Sequence, residues 1–566
     1  MKRETDLATC KAALNGLRSD TGMEEGKKLP ALTDEALSAL AAVVPLSPAD
    51  ADEIRGAPFT DHDAVYLTDC FYLRDVARSL ALAGVPPQRQ AELAFEWVCR
   101  QVYLQPWLFR AGAKTFVATA LPPTAVLRRG FGSGLERMYV FLALLQQLEL
   151  DGCLIGAPVL PPRELVLPVN GAVPDTPEAL AAVAAAAPRG PFWAVGVRVG
   201  SDVRLFDPWR GLPLPWTLAQ LRANPDAAKA WFEDKANVSG ATLEDAKRAT
   251  AHLAVPVNAL SARMGAFDSH LKAELGVRVS IDPTALRAGF PDPKPAFWNP
   301  PDDPFTYGRT ARSYLPVEQG GADRTPQDAA RLYESSLRDQ IPRAEFPSDL
   351  KLGARGEVGE SAIRQRLELV VRGTLGVVFV EPPNPRERIQ RGQFHDVARD
   401  LVAKQETFAA GLERLRNNKD TSKLTKEWIQ KALDLYAELR QTQTIARYKS
   451  EESAALEAVE MHWKEVGAHL LMDQATAEVG QAEAAMLLAL CKHEQAERVQ
   501  VRVERATSAE AARLKPDAVA AWETALSAWK TYEQSAGAHA AFPGRSAHAR
   551  ALEARAAKFV ELDSKP

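Results

Sequence analysis

Three glycines in five positions, Gly130, Gly132 and Gly134, surround a single hydroxyl, Ser133, and run into eight unbroken apolar residues, Met138–Leu145. The start of a helix presents unpaired backbone N–H groups, which stabilise a thiolate, an oxyanion or a phosphate placed against them. A serine nucleophile at Ser133 needs a neighbouring base, yet no histidine occurs between His62 and His252. One of those two imidazoles would have to be brought in from elsewhere in the chain. A phosphate or nucleotide site is the other chemistry such a loop offers. Its spacing here is G-x-G-x-G, short of the dinucleotide fingerprint, without the lysine of a P-loop and without a convincing parallel strand before it.

These residues must be held by the elements around them. A helix apolar on every side is a buried helix, and Glu136 in its first turn suits the positive end of its dipole. Asp151-Gly152 reads as a turn, after which Cys153–Ile155 resumes as a strand. Farther on, Val195, Val197 and Val199 alternate as a half-buried strand should. Gly200-Ser201-Asp202 supplies a hairpin turn, and the second strand closes on Asp207-Pro208.

Loop, buried helix, turn and strand resemble the core of the transglutaminase-like family, which has the papain-like cysteine-enzyme fold. In that family an Arg-Gly pair precedes a cysteine at the start of the buried helix, and an Ala-Leu pair lies farther along it. Setting Ala143-Leu144 on that pair places the cysteine position on Gly134, with Arg129-Gly130 slightly early. Pro191–Pro208 resembles the family's two-strand unit, which opens His-x-Trp and closes on Asp-Pro; here Trp193 and Asp207-Pro208 match, and Pro191 stands where the histidine would be. Ala94–Leu104 resembles the helix leading into the core, so the likeness covers about residues 56–215.

Of the Cys, His and Asp that the resemblance implies, Asp207 alone is retained. Glycine offers no nucleophile, and the implied member is therefore catalytically inactive, with no catalytic residue expected and Ser133 as fallback nucleophile. Asp207 then becomes a structural turn residue at a strand end.

The composition sets outer limits. The 566 residues are 46% apolar and 25% charged, and 69 Lys and Arg against 73 Asp and Glu leave a net charge of −4, which gives no bulk reason to expect nucleic acid as a partner. Five cysteines, Cys10, Cys70, Cys99, Cys153 and Cys491, are scattered without metal-type spacing, and no metal or cofactor is expected. No stretch approaches the roughly 18 apolar residues of a membrane helix. As written, a soluble cytoplasmic protein is expected, unless a signal precedes Met1.

The expected fold class is α+β, a transglutaminase-like core followed by a largely helical C-terminal region. Residues 1–55 read as an N-terminal helical segment, with helix starts at Thr33 and Ser47. Residues 56–235 form the transglutaminase-like domain, in which Ala157–Gly190 is a Pro/Ala-rich insertion and Leu212–Pro215 leaves the sheet ahead of a helix over Leu218–Phe232. Residues 236–290 read as a helical extension, Leu243–Leu253 and Val257–Leu275, with a strand at Val277–Ile281. A Pro/Gly-rich connector, 291–328, leads to an α-helical domain at 329–566, with stacked helical hairpins. There Phe394, Val397 and Leu401 begin one stripe and Trp522, Leu526 and Trp529 another. His493-Glu494 lacks a second histidine four positions on and reads as a capped or solvated helix end.

Three functions follow: a protein-binding or scaffold module built on an inactive transglutaminase-like domain, an amide hydrolase or acyltransferase using a non-standard nucleophile, and a phosphate or nucleotide binder at the glycine loop. The first is the leading expectation, and its partner is another protein.

Overall fold

In the computed structural model the described residues are 31–104, 122–156, 192–234, 241–298, 384–417, 480–535 and 543–563, with isolated positions between them. Pro191, the insertion at 157–190 and most of the 291–328 connector lie outside them. The chain divides into two compact units, the first comprising 1–340 with 390–392, the second 341–389 with 393–566. The whole is a mixed helix and sheet protein whose C-terminal region is helical.

The first unit opens with α1, Asp34–Val43, and α2, Pro48–Arg55. Both start where the sequence places a cap. Thr33 Oγ1 accepts from Ala36 N at 3.1 Å, and Ser47 forms a reciprocal capping box with Asp50. Next come α3, Asp61–Ser79, α4, Pro87–Gln101, and β1, Tyr103–Leu104. They are followed by α5, Pro123–Arg129, β2, Phe131–Gly132, and α6, Gly134–Gln147.

Helix α6 is the centre of this unit. Every residue from Gly134 to Leu145 is buried, as an all-round apolar helix requires. One face meets α4 and the sheet through three rings: Phe95 lies 5.1 Å from Phe141 and 5.0 Å from Phe206, with Phe141 and Phe206 at 5.4 Å. Aromatic burial of this kind contributes about 2 to 3 kcal/mol per ring beside its contacts with the other two.

The sheet has six strands in the order β6-β5-β4-β3-β7-β8. In chain order these are β3, Gly152–Gly156; β4, Phe192–Val199; β5, Asp202–Asp207; β6, Leu212–Thr217; β7, Thr250–Leu253; and β8, Ala296–Phe297. Strands β3 to β7 pair antiparallel, while β8 joins β7 in parallel. The hairpin predicted at Gly200-Ser201 is present, with Val199 paired to Asp202 and Gly200 at φ 63°. Strand β4 is buried on both faces from Phe192 to Val197, not half-buried as its valine alternation suggests. It is a central strand, paired with β3 and β5, and Trp193 and Leu205 on the sheet cluster with Leu218, Leu221 and Phe232 from the segments that follow β6.

Several sequence expectations are corrected. Leu212–Thr217 stays in the sheet as β6, because an edge strand pairs on one side only and so tolerates Pro213 and Pro215. Leu218–Phe232 is not one helix but two short ones, Leu218–Ala223 and Lys229–Phe232, divided by a 3-10 turn at Pro225. The helix expected over Leu243–Leu253 stops at Lys247, and Thr250–Leu253 becomes β7 against β3. The sheet thus continues through the stretch read as a separate extension at 236–290. A 3-10 turn, Val257–Leu260, precedes helix α7, Ala262–Leu275, and Val277–Ile281 is not a strand. Two of its amides turn instead to one side chain: Val279 N and Ser280 N donate to Asp268 Oδ1 at 2.6 and 3.0 Å.

The second unit includes helices over Phe394–Asn417, 480–505, Ser508–Glu533 and Pro543–Asp563. Phe394, Val397 and Leu401 pack with Leu487 and Cys491, and Trp522 and Trp529 are fully buried. His493 is no solvated helix end. It is wholly buried, accepts from Trp529 Nε1 at 3.2 Å on Nδ1, and meets Trp522 edge-on at 5.1 Å.

Candidate functional site

The glycine loop is built by two local devices. Helix α5 ends on Gly130 in the left-handed region at φ 80°, which lets the chain reverse into β2. The Gly130 carbonyl accepts from Tyr103 N at 3.0 Å, and β2 runs parallel to β1 with Tyr103 opposite Phe131. The loop is therefore an ordered connection.

Ser133 is the N-cap of α6. Its hydroxyl accepts from Glu136 N at 3.1 Å while Glu136 Oε2 accepts from Ser133 N at 2.8 Å. Both side chains are buried. This capping box fills the first turn with a carboxylate and commits two of its donors, so the helix start carries its own anion.

Gly134, at the position the resemblance assigns to the cysteine, faces the indole of Trp209. A β-carbon built on Gly134 would lie 2.5 Å from Trp209 Cε2 and Cζ2 and 2.9 Å from Nε1. A side chain at residue 134 and this indole cannot share the space without one of them moving.

Asp207 sets Trp209 in place. Its Oδ1 accepts from Trp209 N at 2.8 Å and Arg210 N at 3.1 Å, and its Oδ2 accepts from Trp231 Nε1 at 3.3 Å. Arg210 stacks on the Trp231 ring at 4.1 Å. Burial raises the Asp207 carboxyl above the ordinary aspartate range, against the pull of these N–H groups and of the Arg210 charge. Its two backbone bonds close the turn after β5, and the third ties that turn to the helix carrying Trp231.

Arg137, one turn into α6, holds the same turn from the other side. The guanidinium is buried and donates to Pro208 O at 2.6 Å, Val102 O at 2.7 Å and Cys99 O at 3.2 Å. Three carbonyls from two segments thereby converge on one cation, tying the end of α4 and the Asp207 turn to α6. Neither Arg137 nor Trp209 stands out in the sequence reading. A charged residue just ahead of Met138–Leu145 is the one signal for Arg137, and the role of Trp209 follows from a tertiary contact alone.

The two histidines considered as bases each have a local partner. His62 Nδ1 lies 3.1 Å from Glu53 Oε2, near the start of α3. His252, on β7, pairs through Nε2 with Thr250 Oγ1 at 2.7 Å and meets Phe192 and Trp298 edge-on. Burial lowers its pKa. Trp193 is a core aromatic, 5.2 Å from Phe232.

Cys70, Cys99, Cys153 and Cys491 are buried, and burial pushes each thiol up, that of Cys153 to about 12. They are inert thiols in this setting. Among the described residues no group of three or more His, Cys, Asp or Glu side chains could hold a metal ion, and no helix is long and apolar enough to cross a membrane. Comparison of the chain with models of known families, with curated proteins and with solved structures returned no match.

Proposed function

We propose that residues 56–235 are a transglutaminase-like domain that has lost its chemistry and now serves as a protein-binding or scaffold module. The observation that carries this reading is the contact between Gly134 and Trp209. The helix start that holds a nucleophile in the resembled family here lacks a side chain and is covered by an indole. The buried helix against an antiparallel sheet, with Asp207 at the turn beside the helix start, supports the family reading. The bonding of Asp207, spent on its own turn and on the Trp231 indole, supports the inactive one.

Hydrolase or acyltransferase chemistry through Ser133 is less well supported. The hydroxyl serves as a helix cap, and its partner is Glu136 N. A phosphate at the glycine loop would meet the buried Glu136 carboxylate, whose Oε2 lies 3.0 Å from a β-carbon built on Gly132. A carboxylate beside the loop opposes an anion there.

The test is in-cell crosslinking of the full-length protein, followed by affinity purification and mass spectrometry. Reproducible crosslinks from one partner to the segments around Trp209 and the glycine loop are expected. Specific partners that crosslink nowhere on the first unit would overturn the assignment of binding to this domain.

A further inference from the structure

Outside the candidate site, one buried carboxylate stands at a joint that the site depends on. Asp69 lies in the middle of α3, is buried, and faces α5, where the Thr124 hydroxyl donates to its Oδ1. Thr124 is itself buried. Arg128, next to the last residue of α5, is the charge that acts on Asp69, and on the helix of Asp69 the neighbouring titratable group is the buried Cys70. Helix α5 runs directly into Gly130, β2 and the Ser133 cap.

We propose that Asp69 is a proton-operated catch for α5, holding that helix and the glycine loop behind it firmly when protonated and loosening them when ionised. A hydroxyl suits both states, since it donates to a carboxylate and accepts from a carboxylic acid. The neutral pair satisfies itself in an apolar setting, whereas the ionised form leaves a desolvated anion with one hydroxyl donor and the Arg128 charge. Burial raises the Asp69 carboxyl to about 7, with the Thr124 bond and Arg128 working against it. A folded pKa above the unfolded value, ordinarily about 3.9, stabilises the fold fully below that lower value. This contribution is lost as pH rises through about 7. The catch therefore opens on the alkaline side, and it does not depend on what the loop face binds.

Amide hydrogen exchange of peptides spanning 122–135 in the full-length protein, corrected for intrinsic exchange, tests this between pH 6 and 8. Protection in the native sequence should fall as pH rises towards 7, by up to about tenfold per pH unit, level off above a midpoint near 7, and stay flat in Asp69→Asn. Arg128→Met removes a charge that favours ionisation and should move the midpoint to higher pH, a test that stands even if Asp69→Asn fails to fold. A pH dependence shared by the native protein and Asp69→Asn would overturn the proposal, as would a midpoint unmoved in Arg128→Met.

Discussion

Trp209 lies so close to Gly134 that a β-carbon there would stand 2.5 Å from its ring. The indole thus excludes a side chain from the first position of α6. It is held there by the Asp207 turn, which Arg137 fastens to the same helix.

Gly134→Ala should therefore destabilise the protein by about 1 to 3 kcal/mol, the cost of overpacking a buried site. Trp209→Ala in the same chain should recover part of that loss, because the two side chains compete for one space. Thermal unfolding of both single variants and the double variant measures the coupling. Additive losses would refute the contact.

Arg137→Met should cost about 3 kcal/mol or more, since it leaves carbonyls of Cys99, Val102 and Pro208 buried without their donor. Denaturant unfolding reads the loss. A change below about 0.5 kcal/mol, the range of an ordinary surface substitution, would show that the clamp contributes little.

Asp207→Ala should lower stability by about 2 kcal/mol by removing the acceptor for two backbone N–H groups and the Trp231 indole. Asp207→Asn, which keeps an amide oxygen for the two backbone donors, should lose less. Equal losses in the two variants would mean that the turn does not rest on those bonds.

Glu53 supplies a pH test. Burial alone would raise its pKa, but hydrogen bonds from His62 and Thr60 and the charges of His62 and Arg263 outweigh this and hold it at about 2. Its folded pKa lies below the unfolded value of about 4.3. The stabilisation is thus present above that value and is lost as pH falls through about 2. Between pH 5 and 2 the native protein should lose more stability than Glu53→Gln. Parallel acid profiles would contradict the assignment.

Much of the frame was legible because local chemistry and tertiary structure agree. Thr33 and Ser47 start helices through their own hydroxyls, and Met138–Leu145 is buried because no polar face lets it be otherwise. Reading failed where partners distant in sequence decide. Thr250–Leu253 is a strand because β3 offers an edge, and β6 survives two prolines because nothing pairs on its outer side among the described strands. His493 reads as a capped or solvated helix end in the sequence because the rings that bury it, Trp522 and Trp529, come from another helix. The site behaved likewise. Gly134, Ser133 and Asp207 were identifiable from type and order, whereas Trp209 and Arg137 gain their roles from contacts 75 and 71 positions away in the chain.

The most direct test of the inactive reading is turnover: amine incorporation into acyl donors and peptide hydrolysis by the full-length protein and Ser133→Ala, with unfolding temperatures measured alongside. The account predicts no turnover above a heat-inactivated control for either protein, with Ser133→Ala costing only the helix cap, about 1 kcal/mol. Turnover by the native protein that disappears in a still-folded Ser133→Ala would contradict it.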